Sequence, residues 1–273
     1  MSLGLLDAVV LGVVEGLTEF LPVSSTGHLT IAEGLLGLQV DDPSVTAFTA
    51  VIQTGAIAAV LLFFAKDILR FARGFLGGVR SAAGRQTDDW RFTLAVVLGS
   101  LPIGIVGLAF RDVIKGPVLR SLVTVAIGLI AWSAVMVLAE RRATQERGEA
   151  QVRIADGLVI GLAQCIALVP GVSRSGATIS VGLLRGLDRV TATRLSFFLG
   201  IPALTAAGAL ELKDALGGNV GLAPVLVGTV VSFVVAYATI AILLRFVANH
   251  SIVAFVPYRV ALGVVVLGVL AVT

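Results

Sequence analysis

The chain has 273 residues, 57% hydrophobic and 14% charged, with a mean hydropathy of +1.02. A soluble domain carries about 25% charged residues, so this composition excludes an ordinary soluble enzyme and points to a polytopic membrane protein. The net charge of +3 and the pI near 9.5 do not indicate nucleic-acid binding, because the basic residues cluster in loops between apolar runs, as the positive-inside rule expects.

The apolar runs are continuous and close to a membrane span in length, without two-residue alternation, which favours helices over a β-barrel. Glycine is abundant, with 31 residues, and suits close helix–helix approach in lipid. Cys165 is the single cysteine, so no internal disulfide forms, and its apolar neighbours give it a packing role. The start, Met1 to Asp7, lacks a basic region and a small-residue cleavage site, so no removable signal peptide is expected.

In chain order, residues 3–38 are apolar but too long for one span. They are interrupted by Pro22 and the run Ser24-Ser25-Thr26-Gly27-His28. Two half-length helices meeting at a turn, a re-entrant hairpin, fit this pattern. Gln39 to Ser44, with Asp41, Asp42 and Pro43, reads as an exposed loop. A span is predicted over 45–64. Residues 65–91 read as a solvated cytoplasmic loop, with Lys66, Arg70, Arg73, Arg80, Arg85 and Arg91 against Asp67, Asp88 and Asp89. A second span covers 92–110, a short turn runs from Arg111 to Lys115, and a third span covers 117–139. Glu140 to Arg153 is again charged. Residues 155–187 repeat the opening pattern, broken at Pro170-Gly171, and spans follow at about 193–211, 221–245 and 252–272.

An internal repeat organises this layout. At one constant offset Gly12 aligns with Gly161, Glu15 with Gln164, Ser24 with Ser173, Ser25 with Arg174, Gly27 with Gly176 and Phe48 with Phe197. Further on, Gly99 resembles Gly228 and Gly128 resembles Gly263. Each half is a broken hairpin followed by three spans, and an odd number of spans makes the second half enter from the opposite side. The expected fold is therefore an all-α polytopic membrane protein of inverted-topology repeats, with six spans and two re-entrant helical hairpins. It is one membrane domain over 1–273, with repeat 1 at about 1–140 and repeat 2 at about 154–273, joined by a cytoplasmic loop 140–153. Basic loops inside put both termini outside, along with Arg111, Lys115, Arg120 and Lys213 near the outer ends.

The chemistry sits at the two breaks. An ionisable side chain near the bilayer centre costs roughly 2.5–3.5 kcal/mol, so Glu15, Glu19, His28 and Arg174 must face one another, water or a ligand. Glu15 and Glu19 share a helix face, and their repulsion requires a cation, a proton or Arg174. Ser24 suits a helix N-cap, and the free N–H groups of a helix start favour an anion. Ser25 and His28 are three apart and are expected on one side of a turn, a hydroxyl beside an imidazole with a carboxylate to orient it. Ser173-Arg174-Ser175-Gly176 reads as a phosphate cradle, with Thr178 one turn beyond as a further donor. Gln53 and Gln164 are supporting polar groups or helix glue. The plainer readings are interhelical bonding for the glutamates, packing for His28 and snorkelling for Arg174.

The run from Glu15 to His28, Glu-Gly-Leu-Thr-Glu-Phe-Leu-Pro-Val-Ser-Ser-Thr-Gly-His, followed by Pro170-Gly-Val-Ser-Arg-Ser-Gly-Ala-Thr178, resembles the bacterial undecaprenyl-diphosphate phosphatase family associated with bacitracin resistance. The likeness extends over essentially the whole chain. It implies hydrolysis of undecaprenyl diphosphate to the monophosphate and inorganic phosphate, a step that recycles the lipid carrier of peptidoglycan synthesis. It further implies a site towards the outer side of the bacterial cytoplasmic membrane and a divalent cation, Mg or Ca. The family's motif residues carry over to Glu15, Glu19, Ser25, His28, Ser173, Arg174 and Thr178.

On this reading a prenyl chain lies in an apolar cleft, with its diphosphate held by Arg174, Ser173, Thr178, Ser24, Thr26, Ser175 and the Gly176 backbone. Ser25 is expected to attack phosphorus, with His28 as base or later proton donor, Glu19 orienting them, and Glu15 binding metal or positioning water. Glu19 is a second expected metal ligand. Ser24, His28 and water remain alternative nucleophiles. The rival class is a transporter of prenyl-phosphate lipid, because broken helices in inverted repeats are also transporter architecture.

Overall fold

The computed structural model describes residues 3–40, 42–114, 116–215 and 221–272. Asp41 and Lys115, expected in a loop and a turn, lie outside the described residues. Among the described residues all regular structure is helical apart from one isolated bridge between Arg147 and Leu187. In order the helices are α1 (Leu5–Thr18), α2 (Ser25–Leu35), α3 (Pro43–Phe63), α4 (Ala65–Arg80), α5 (Asp88–Ala109), the one-turn α6 (Arg111–Ile114) and α7 (Pro117–Arg120), α8 (Leu122–Arg142), α9 (Ile154–Ile166), α10 (Arg174–Leu184), α11 (Arg189–Ala215), α12 (Leu222–Asn249) and α13 (Val256–Val272).

Local signals set the ends of the long helices. Asp42 caps α3 by accepting from Ser44 N at 2.7 Å, with Pro43 at the first helical position. Thr87 caps α5 ahead of Asp88 and Asp89, and Ser121 caps α8, which ends on Arg141 and Arg142. Among the described residues five stretches are long and apolar enough to cross a membrane: Ser44–Phe63, Asp88–Ala109, Leu122–Arg142, Leu222–Asn249 and Ile252–Val272. The expected span at 193–211 lies within α11, which is 27 residues long and covered by protein along its first turns, with Thr191, Thr193 and Ser196 buried.

Two expectations are corrected. Residues 65–91 are not simply a loop, because α4 occupies most of the segment. Phe71 stacks on Phe92 and Phe75 on Trp90 of α5, while Lys66, Arg70, Arg73 and Arg80 point outward. The third span begins at Leu122 instead of 117, after a single turn at Pro117–Arg120 and a break at Ser121.

Residues 5–35 and 154–184 fold alike. Each is a helix, a short break, and a second helix that starts directly after a serine held at φ 76°, Ser24 or Ser173. A left-handed backbone at a non-glycine residue costs about 1–3 kcal/mol and collects at functional sites. Each first helix packs along a long helix of the other half, α1 on α12 and α9 on α5. Glycines make this possible: a Cβ at Gly12 would stand 2.6 Å from the Gly228 carbonyl oxygen, and one at Gly161 only 1.8 Å from that of Gly99. The glycines that align in the sequence therefore meet crosswise. Between the breaks and α4 lies an aromatic core, in which Phe20 meets Phe197 edge-on at 5.2 Å and Phe64 meets Phe198 at 5.0 Å. Ion pairs tie the charged segments to the start of α9, the end of α10 and the start of α11: Arg147 and Arg185 bind the buried Asp156, Arg189 binds Glu140, and Arg194 binds Glu149 and Asp67.

Candidate active site

The two breaks meet as a pair of tips. Ser24 Oγ accepts from Gly171 N at 3.1 Å, and Ser175 Oγ donates to the Leu21 carbonyl at 2.9 Å, one bond from each tip to the other. Ser173 Oγ accepts from Gly176 N at 3.1 Å, which caps α10.

Across this joint runs a chain of polar contacts. Ser25, the first residue of α2, donates its hydroxyl to Glu19 Oε2 at 2.6 Å. Arg174, the first residue of α10, donates from Nη2 to Glu19 Oε1 at 3.0 Å and from Nη1 to the Ser196 carbonyl at 3.1 Å. Charge-assisted bonds of this kind are among the stronger ones in proteins. Thr178 Oγ1 lies 2.8 Å from the Arg174 carbonyl oxygen and 2.6 Å from Ser196 Oγ, bracing α10 against α11. Gly200 presses on the guanidinium from behind: a Cβ there would stand 1.9 Å from Arg174 Nη1. One turn before Glu19, Glu15 is fully buried, and neither of its carboxylate oxygens has a hydrogen-bond partner among the described residues. The Nε of Arg174 is in the same condition. Buried polar groups are ordinarily satisfied, and Glu15 and Arg174 both line a cavity.

Above the tips opens a cavity of about 760 Å³. Its head is formed by Glu15, Glu19, Ser24, Ser25, Thr26, Ser173 and Arg174, and its walls by apolar residues of α2, α3, α5 and α11 such as Leu29, Val97 and Leu204. Leu101 and Leu108 line it while more than half exposed, so its side opens to what surrounds the protein. Its far end reaches Glu33 and Arg111, past the last turn of α5. A polar head on an apolar, laterally open trough fits an amphiphile with an anionic head.

Some expected residues lie elsewhere. Ser175, Gly176 and Thr178 are buried in the tip joint and against α11, and do not line the cavity. His28 does not meet Ser25. Its Nδ1 bonds the Ser24 carbonyl at 2.7 Å and its Nε2 bonds Tyr258 Oη at 2.6 Å. At roughly 100° per residue, Ser25, Thr26, Leu29, Thr30 and Glu33 share the cavity face of α2, and His28 falls on the far side towards α13. Gln53 lines the cavity, whereas Gln164 is buried away from it with both side-chain polar atoms unpartnered. The sequence reading gives no role to Ser196, Gly200, Tyr258 or Arg259. Arg259 carried a readable signal, as the one charged residue in the final apolar run.

Comparisons with known proteins place the chain in a family. The family model described as bacitracin resistance protein BacA matches residues 8–265. The chain is 57% identical over 266 residues to "Undecaprenyl-diphosphatase 1" of Frankia alni, covering 97% of this chain and 95% of that protein. It is 57% identical over 265 residues to "Undecaprenyl-diphosphatase 1" of Streptomyces avermitilis, with 97% and 95% covered. It is 49% identical over 275 residues to "Undecaprenyl-diphosphatase" of Cutibacterium acnes, with 97% and 96% covered. With its motifs at the head of one cavity and these likenesses running nearly end to end, the chain belongs to the BacA bacitracin resistance protein family.

Proposed function

We propose that this membrane protein hydrolyses undecaprenyl diphosphate to undecaprenyl phosphate and inorganic phosphate. The observation that carries the reading is the Ser25–Glu19–Arg174 chain at the head of an apolar, laterally open cavity. The prenyl chain occupies the trough and the diphosphate meets Arg174 and the starts of α2 and α10. Ser25 Oγ attacks the terminal phosphorus and gives its proton to Glu19 across the existing 2.6 Å bond. The bond from that phosphorus to the bridging oxygen breaks, and undecaprenyl phosphate departs. Water then cleaves the phosphoserine, oriented by Glu15, whose oxygens are free to receive it. Arg174 stabilises the charge that spreads over the transferring phosphoryl oxygens. His28 steadies the first tip through Ser24 and Tyr258.

The donor set fits a hard divalent cation, Mg or Ca, because Glu15 presents two unpartnered buried oxygens beside Glu19. Among the described residues no cluster of three His, Cys, Asp or Glu forms, so the substrate's own oxygens would complete the coordination. Such an ion supplies charge neutralisation at the diphosphate.

The halves are read as inverted repeats in a bacterial cytoplasmic membrane, with both termini outside. The basic residues of 65–91 and 140–153 gather at the end of the molecule where α5 starts, and the cavity reaches Arg111 past the other end of α5, which supports a site towards the outer face. The test is phosphate release from a prenyl diphosphate by protein purified in detergent, where transport is impossible. Wild-type protein releases phosphate, and Ser25→Ala binds the lipid but loses several orders of magnitude in turnover. Retention of more than about a tenth of wild-type turnover, under ~1.4 kcal/mol of barrier, removes Ser25 as nucleophile.

A further inference from the structure

Arg259, in the first turn of α13, has none of its surface exposed. Its guanidinium is caged by neutral acceptors. Nη1 donates to the Pro22 carbonyl at 2.7 Å, and Nη2 to the carbonyls of Gly171 at 3.0 Å, Val172 at 3.1 Å and Leu129 at 3.3 Å. Nε donates to Ser133 Oγ at 3.1 Å. Pro22 belongs to the first tip, Gly171 and Val172 to the second, and Leu129 and Ser133 to α8 beneath them.

An arginine buried in a membrane protein with neutral partners is costly, and packing alone does not call for one. What this one accomplishes is a join. The reacting groups are divided between the tips, with Glu19 and Ser25 on the first and Arg174 on the second. The 3.0 Å contact of Arg174 with Glu19 holds only while the tips keep one register, and Glu19 in turn holds Ser25 at 2.6 Å within the first tip. The two direct tip-to-tip bonds each use a single hydroxyl. Arg259 adds a grip from a third element, on the carbonyls just before Ser24 and Ser173, the two residues held at φ 76°. It draws those carbonyls towards α8 and α13. A planar fork with five N–H groups can reach acceptors in several directions at once, and a compact ammonium cannot.

We propose that Arg259 is a positioning residue for phosphoryl transfer, locking the two tips in the register that places Arg174 on Glu19, the carboxylate that holds Ser25. The proposal rests on the phosphatase reading, so its test includes a readout independent of turnover. Arg259→Lys and Ser133→Ala are compared with wild type in detergent, by phosphate release and by hydrogen exchange of peptides covering 19–25 and 169–175. Arg259→Lys keeps the charge and loses the fork. Its kcat is expected to fall about 100-fold, the scale of a 1 Å misplacement, with a much smaller change in KM. Ser133→Ala removes one neutral partner, and its kcat falls about fivefold. In both variants exchange quickens at the two tips and stays unchanged along α8 and α13. Wild-type kcat and tip exchange in either variant overturns the proposal, as does exchange that rises equally through α8 and α13. If Arg259→Lys does not fold, Ser133→Ala decides by the same two readouts. Wild-type protein that releases no phosphate refutes the phosphatase reading, and tip exchange still reports the lock.

Discussion

Gly200→Ala separates the stability of the fold from the geometry of the site. A Cβ at this position would stand 1.9 Å from Arg174 Nη1, 2.6 Å from Cζ and 3.1 Å from Nη2. Ordinary contact begins at 3.4 Å, so the guanidinium must retreat by about 1.5 Å. The atoms in the way are the end of a flexible side chain and not backbone, so α11 need not move and the fold is expected to tolerate the methyl. The site is not. Nη1 loses its 3.1 Å bond to the Ser196 carbonyl, and Nη2 is driven off Glu19, which it holds at 3.0 Å.

Removing one preorganised donor from a charge-stabilising site costs 10²–10³ in rate, about 2.7–4 kcal/mol, and a misplacement near 1 Å costs a similar factor. Gly200→Ala is therefore expected to lower kcat/KM for prenyl-diphosphate hydrolysis 10²–10³-fold while the melting temperature moves by a few degrees at most. Gly208→Ala on the same helix is the control, because its Cβ makes ordinary contacts, with Ile57 Cδ1 at 3.4 Å and Thr54 Cγ2 at 3.8 Å, and both activity and melting should stay near wild type. If Gly200→Ala keeps more than about a tenth of wild-type kcat/KM, a loss under ~1.4 kcal/mol, Arg174 does not need this position and the reasoning fails.

Four further substitutions probe the first tip and the helix packing. Tyr258→Phe removes one end of a 2.6 Å bond and should cost about 0.5–1.5 kcal/mol, roughly tenfold or less in turnover, while His28→Ala also removes the 2.7 Å bond to the Ser24 carbonyl and should cost up to about twice that, with the double variant little worse than His28→Ala; a His28→Ala variant as dead as Ser25→Ala would return the imidazole to the proton-transfer step. Gly161→Ala sets a methyl 1.8 Å from the Gly99 carbonyl oxygen, a backbone atom, and should cost about 1–3 kcal/mol, read as a lower melting temperature, whereas Gly34→Ala meets nothing within 4 Å and should be neutral.

The breaks, the motifs and the glycine pairs were legible because each is a local exception in apolar sequence. A glutamate or a Ser-Ser-Thr run inside a span announces itself by its insertion cost, whatever the tertiary structure does. What was illegible depends on direction. Ser25 and His28 are neighbours in one turn, but the cavity lies on the face shared by Ser25 and Leu29, and spacing alone does not say which face of α2 is turned to it. The helix α4 was hidden by its charges: Ile68, Phe71, Phe75 and Gly78 carry a helical period, but six basic residues over 65–91 read as a solvated loop. Ser175 and Thr178 have the chemistry of phosphate ligands and serve as joinery, since a hydroxyl at a helix start caps or braces as readily as it binds.

The two halves share a frame but not a chemistry, and the constant offset shows where they part. Ser24 and Ser173 are the same cap at the same φ, yet Glu15 is answered by Gln164, Glu19 by Leu168 and Ser25 by Arg174. Ser25 and the two carboxylates come from one tip and the guanidinium from the other, so the Arg174–Glu19 contact crosses the joint. The trough is one-sided for a similar reason. Its first-half lining includes Thr30, Glu33, Thr46 and Thr49; at the same offset stand Ile179, Gly182, Leu195 and Phe198. Ile179, Leu195 and Phe198 are buried in the core, and Gly182 lies so close to α11 that its Cβ would be 2.9 Å from that of Ala192. Larger apolar side chains and a closer helix approach fill in the second half the space that small and polar residues leave open in the first. The likeness of 5–35 and 154–184 thus stops at the trough, and the break without such a trough beside it supplies Arg174 to the one that has it.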